Sequence, residues 1–106
     1  MKAQPLKLAS SGVMYTHCSP EEATHLQLCL PCPCPNRILP ITIGKKTPKT
    51  WEWNGDTEKP TISPSILTQY EHDQVCHSCI RNGMVEFLYD CTHENAGKTL
   101  PLEDIT

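Results

Sequence analysis

The sequence has one phenylalanine in 106 residues, and only 38% of its residues are hydrophobic. A core built from so little apolar material is modest, and a chain of this length forms one domain that buries about two-thirds of its unfolded surface. No stretch approaches the ~20 apolar residues of a membrane-spanning helix. The N-terminal Met1-Lys2-Ala3-Gln4-Pro5-Leu6-Lys7-Leu8 is followed by no apolar run of signal-peptide length. A basic excess is also missing: the formal charge is −3 and the pI about 5.9. Nucleic-acid binding draws on counterion release at a basic face, so neither nucleic acid nor a membrane is an expected partner. The lysines of Lys45-Lys46-Thr47-Pro48-Lys49, before Trp51, read as a solvated loop. There is no His-Glu-x-x-His helix, and His93-Glu94 lacks the following Pro-Cys-x-x-Cys of the zinc deaminases.

Cysteine is abundant instead. Seven cysteines and five histidines occur, five of the cysteines in Cys29-Leu-Pro-Cys32-Pro-Cys34 and Cys76-His77-Ser78-Cys79. A Cys-x2-Cys turn aims two thiolates at one point, and two such groups from distant parts of a chain complete a tetrahedron around Zn²⁺. The odd count fits a disulfide framework poorly, and with no signal peptide the expected compartment is the reducing cytoplasm. Zn²⁺ is therefore the expected cofactor, with Cys29, Cys32, Cys76 and His77 as its expected ligands. Cys34 is an alternative to Cys32, while Cys79, Cys91 and His93 are further candidates to complete the site. Because Cys76 and His77 are adjacent, they point to opposite faces of a strand, which leaves open which of them binds. A metal staple would supply folding free energy that burial alone does not.

Short alternating windows bounded by Pro, Gly or Asn predict a mainly β fold with little helix. Leu26, Leu28 and Leu30 form one set, followed by the apolar run of Ile38, Ile41 and Ile43, then by Trp51 with Trp53. Ile62, Ile66 and Leu67 flank Ser63-Pro64-Ser65, and Val85, Phe87 and Tyr89 alternate after Asn82-Gly83, a strong hairpin signal. Ser19-Pro20-Glu21-Glu22 reads as a helix start, ended near His25 by the leucine alternation. The expectation is one small domain over residues 1–106, stapled by zinc, with 1–12 and 103–106 loosely held.

The blocks Trp51-Glu52-Trp53-Asn54-Gly55-Asp56, Pro60-Thr61-Ile62-Ser63-Pro64-Ser65-Ile66, Cys76-His77-Ser78, Ile80-Arg81-Asn82-Gly83 and Asp90-Cys91-Thr92-His93-Glu94-Asn95-Ala96-Gly97 resemble a family of small phage and prophage proteins of unassigned function. Many of them carry the label ammonia monooxygenase, which nothing in this sequence supports. The resemblance spans about residues 25–103. A related branch occurs beside bacterial ubiquitin-like conjugation genes and is suspected of zinc peptidase activity. Cys34 and Cys79 depart from the family pattern, in which a Gly and an aromatic or aliphatic residue are expected.

What the resemblance implies is a zinc-dependent peptidase or related hydrolase acting on a protein or peptide, such as a ubiquitin-like conjugate. Such an enzyme needs a carboxylate base and an oxyanion donor. Glu58 is the candidate base, with Ser63 or Ser65 and His93 as candidate donors. The alternative is a noncatalytic zinc-stabilised module that binds or inhibits a host protein.

Overall fold

Alternating burial along the strands builds two antiparallel sheets that share one core. The structure, a computed structural model, describes residues 1–9, 12, 14–34, 38–44, 50–69 and 74–105. The lysine-rich segment 45–49 and His72 lie outside the described residues.

The first sheet has the order β2-β1-β3-β4, with β1 Ala3–Leu8, β2 Tyr15–His17, β3 His25–Cys29 and β4 Ile38–Thr42. In β3, Leu26 and Leu28 are fully buried while His25, Gln27 and Cys29 point to the other face, the two-residue rhythm of a half-buried strand. The second sheet has the order β5-β6-β7-β8-β9, with β5 Glu52–Trp53, β6 Ile62–Gln69, β7 Val75–Arg81, β8 Met84–Phe87 and β9 Thr99–Pro101. Its inner positions Ile62, Ile66, Ile80, Val85 and Phe87 meet Ala3, Leu26, Leu28, Leu30 and Ile41 of the first sheet in a single cluster. An isolated bridge between Ile43 and Trp51 joins the two sheets.

The first residues, expected to be loosely held, form the interior of the first sheet. Ala3, Gln4, Pro5 and Leu6 are all buried, and β1 lies between β2 and β3. The C-terminal residues are tied down as well: Glu103 N–H donates to Cys29 O (3.1 Å) and Ile105 N–H to Met1 O (2.9 Å). Ser19-Pro20-Glu21-Glu22 makes a single 3₁₀ turn, Pro20–Glu22, in which Ser19 Oγ donates to Glu22 Oε1 (3.1 Å). The chain then enters β3 at His25.

β7 and β8 form the expected hairpin. Asn82 (φ 51°) and Gly83 (φ 76°) both take positive φ, as a two-residue turn of the type matching strand twist requires. Backbone limits the space at Gly83 too, where a Cβ would meet Glu58 O at 3.2 Å and Lys59 Cα at 3.3 Å.

Candidate functional site

Two strands and one turn bring together a serine, a histidine and an aspartate. β6 pairs with β7 through Ile62↔Ile80 and Ile66↔Ser78, so Ser63, Pro64 and Ser65 stand opposite Cys79 alone. A bulge of this kind re-aims side chains, often beside active sites. Here it leaves Ile62 and Ile66 both facing the core, while Ser65 lies on the outer face. Trp51 Nε1 donates to Ser65 O (3.3 Å) and anchors the bulge. On β7, Cys76, Ser78 and Ile80 are buried, so His77 projects to the same outer face as Ser65. Ser65 Oγ lies 2.9 Å from His77 Nε2, and His77 Nδ1 lies 2.9 and 3.2 Å from the two carboxylate oxygens of Asp90.

The proton positions follow from these partners. A carboxylate only accepts, so Nδ1 carries the ring proton and donates to Asp90; Nε2 is then free to accept from the Ser65 hydroxyl. A hydroxyl so placed can lose its proton to the ring as it attacks a carbonyl, while the carboxylate stabilises the imidazolium that forms. The His77 side chain is 24% exposed and that of Asp90 58%, so the constellation faces solvent. Leu67 pairs with His77 and is 60% exposed. His77 bonds through its backbone toward Leu88 and Cys91, on the side away from β6, so Leu67 and His77 form the narrow kind of pair, whose side chains lie closest.

Asp90 reaches His77 because β8 ends early. Beyond Phe87 the chain leaves strand geometry but stays beside β7. Leu88 N–H donates to His77 O (2.9 Å) and Thr92 N–H to Val75 O (3.0 Å). Side chains complete the ladder: Val75 N–H donates to Thr92 Oγ1 (2.9 Å), and His77 N–H to Cys91 Sγ (3.2 Å), whose thiol donates back to His77 O (3.1 Å).

On the opposite side of β7, turned toward the core, lies a cluster of sulfurs. Cys32, Cys34 and Cys76 form one group of metal-ligating atoms within 4.8 Å of one another, and Cys76, Cys91 and His93 form a second. Cys76 belongs to both. His93 Nε2 lies 3.4 Å from Cys76 Sγ, and its ring stands edge-on to Phe87 at 5.0 Å. Hydrogen bonding from the Cys76 thiol, reinforced by Cys34, brings Cys32 down to about 6 despite burial, whereas the same bond and burial push Cys76 up. A set of thiols and one imidazole, buried or partly buried, is compatible with a metal site. None of the seven cysteines is in a disulfide.

The structure separates the residues expected to act together. Cys32 and Cys34 join Cys76 in one group of the sulfur cluster, and Cys91 and His93 join it in the other. Cys29 does not: it ends β3 on the face opposite Leu28, and its thiol donates to Glu103 Oε2 (3.1 Å). His77, expected as a metal ligand, faces away from the cluster because successive strand residues alternate. Glu58, the expected base, sits in the exposed turn after β5, 3.9 Å from the Met1 amino group and beside Gly83. That places it at the far end of β7, beyond Arg81, which is itself about 13 Å along the strand from His77. Ser65 was expected as a donor in zinc chemistry but is paired with His77. Asp90 was not singled out. Its signal was the hairpin itself, since a turn at Asn82-Gly83 sets Leu88 opposite His77 and brings Asp90 within side-chain reach.

A separate cavity of about 320 Å³ lies on the outer face of the first sheet, lined by Leu6, Tyr15, His17, Gln27, Ile38 and Pro40. It contains no member of the serine site or of the sulfur cluster. Among the described residues, no helix is long and apolar enough to cross a membrane.

Fold and site together define a small β protein with a Ser-His-Asp constellation on the open face of one sheet and a thiol cluster behind it. The chain belongs to the family described as the bacterial ubiquitination-like system serine protease, BubE, whose model matches residues 2–88. The match includes Ser65 and His77 and ends just before Asp90. No curated protein and no solved structure matches the chain.

Proposed function

We propose that the protein is a serine peptidase that cleaves the bond between a bacterial ubiquitin-like protein and the group attached to its C-terminus. The observation that carries this reading is the unbroken chain of contacts from Ser65 Oγ through His77 to Asp90, at 2.9 Å in each step. Ser65 Oγ attacks the scissile carbonyl and gives its proton to His77 Nε2. The ring passes that proton to the leaving amine, forming an acyl-enzyme, and then activates a water to hydrolyse it. Asp90 holds Nδ1–H throughout. Leu67 offers the substrate an apolar contact next to the scissile bond. The family's description as a serine protease of a bacterial ubiquitination-like system supports this choice of substrate, and the contacts of Ser65, His77 and Asp90 support the chemistry.

Zn²⁺ is the proposed ion for the thiol cluster, held by Cys32, Cys34, Cys76 and His93. Sulfur and imidazole donors suit zinc. Cys91 is left out because its sulfur is already engaged with both backbone groups of His77. Four protein ligands leave no position for a reactive water, so the ion's work is structural. Among the described residues, neither group of metal-ligating atoms includes a carboxylate, which favours serine over zinc as the source of catalysis. A reducing cytoplasm suits seven cysteines outside any disulfide.

The test is cleavage of a panel of ubiquitin-like fusions by wild type and Ser65→Ala, with a serine-directed inhibitor and a chelator as separate arms. Cleavage by wild type, lost in Ser65→Ala and blocked by the inhibitor, supports the proposal. Full activity in Ser65→Ala refutes it, and cleavage of no fusion favours a noncatalytic binding module.

A further inference from the structure

The thiol cluster reaches both partners of the His77–Asp90 pair from behind. Cys76 immediately precedes His77 on β7, and His93 follows Asp90 by three residues on the turn that replaces the end of β8. The two sites thus share their supports while facing opposite sides of the sheet. That turn, residues 88–93, lies outside the regular ladder and is held by a few bonds to Val75 and His77. Thr92 is exposed, so its bonds to Val75 compete with water. Asp90 is more than half exposed, so water competes for its carboxylate. On the buried side, Asn95 Nδ2 donates to Pro31 O (2.8 Å) and brings the Cys32–Cys34 loop against the same turn.

We propose that occupancy of the Cys32–Cys34–Cys76–His93 centre by Zn²⁺ governs the catalytic geometry. The bound ion pins the turn that carries Asp90 to the strand that carries His77. Without it, the protein keeps its two sheets but loses a competent His77–Asp90 pair. The sheets persist because eleven of the fourteen clustered core residues are not cysteines, among them Phe87, Leu26, Leu28 and Ile80. This inference rests on the serine-peptidase reading for its consequence, though not for its geometry.

The experiment compares the full chain loaded with Zn²⁺ and stripped by a chelator, using three readouts. Circular dichroism reports the sheets. Proton NMR reports the strongly deshielded Nδ1 proton that a carboxylate-bound histidine shows, assigned by its loss in His77→Gln. Labelling by a fluorophosphonate reports the reactivity of Ser65. Zinc-loaded protein shows the resonance. Stripped protein keeps its β signal, loses the resonance and labels about a hundredfold more slowly, the scale of a roughly 1 Å misplacement at a reacting centre. Adding Zn²⁺ back restores both. His93→Asn, which removes the turn's ligand and spares the three cysteines, behaves like stripped protein.

Two results overturn the inference: stripped protein that keeps the resonance and the labelling rate, or stripped protein that unfolds, which would make the ion a staple for the whole chain. If the resonance follows zinc while Ser65 never labels, the metal's hold on His77 and Asp90 stands and the serine-peptidase reading falls.

Discussion

Asp90→Asn removes one charge from the site and almost nothing from its shape. Asp90 lies 2.9 Å from His77 Nδ1 and faces an imidazolium whenever His77 takes the proton of Ser65. At about 3 Å a unit pair attracts by roughly 1.4 kcal/mol in bulk water and roughly 5.5 kcal/mol at an effective dielectric of about 20. The Asp90 side chain is 58% exposed, so solvent screening discounts the higher figure. A loss near 3 kcal/mol corresponds to about a hundredfold in kcat. An asparagine that turns its amide N–H toward Nδ1 adds to the loss, because it forces the tautomer in which Nε2 can no longer accept from Ser65. The assay is steady-state hydrolysis of a ubiquitin-like fusion, with zinc content measured in parallel. The loss should fall on kcat and leave KM and zinc content unchanged. Activity of Asp90→Asn within about threefold of wild type, worth under 1 kcal/mol, would remove Asp90 from the mechanism.

Glu58→Gln should leave kcat/KM unchanged, since Glu58 stands at the far end of β7; a loss of about a hundredfold, the scale of a missing general base, would restore the zinc-hydrolase mechanism. Cys32→Ser should lower both the bound zinc measured by atomic absorption and the melting temperature, because metal binding free energy is folding free energy in a small domain. Undiminished zinc in that variant would displace Cys32 from the ligand set. Phe87→Ala should cost about 3–5 kcal/mol in urea denaturation, as expected for a fully buried aromatic; its ring also backs His93, so zinc should bind more weakly. A cost below about 1 kcal/mol would mean that the core does not centre on β8.

Most of the fold could be read from local pattern. Leucine alternation over residues 26–30 located β3, and Asn82-Gly83 fixed the β7–β8 register. What escaped was long-range. Nothing local announces that residues 3–6 form a buried strand, because Ala3, Gln4, Pro5 and Leu6 lack alternation and are covered on both faces by the rest of the fold. The site was legible in its parts and not in its grouping. Cys32 and Cys76 could be singled out by type and spacing, and Ser65 and His93 as donors for the chemistry that the resemblance implies, but strand parity decides that Cys76 faces the core while His77 faces Ser65. A bulge, which sequence marks only by Ser63-Pro64-Ser65, decides that Ser65 reaches that face. The same parity sets Cys29 apart: the Cys-x2-Cys spacing suggests an ion shared with Cys32, while Cys29 ends a strand on the face opposite Leu28.

The central claim is that Ser65 is a nucleophile activated by His77. Its most direct test is mass spectrometry of zinc-loaded protein after treatment with a fluorophosphonate, with peptide mapping of any adduct and His77→Gln as the comparison. The account predicts a single adduct on Ser65, formed far more slowly in His77→Gln. An adduct on another residue, or none on Ser65 in folded, zinc-loaded protein, would contradict it.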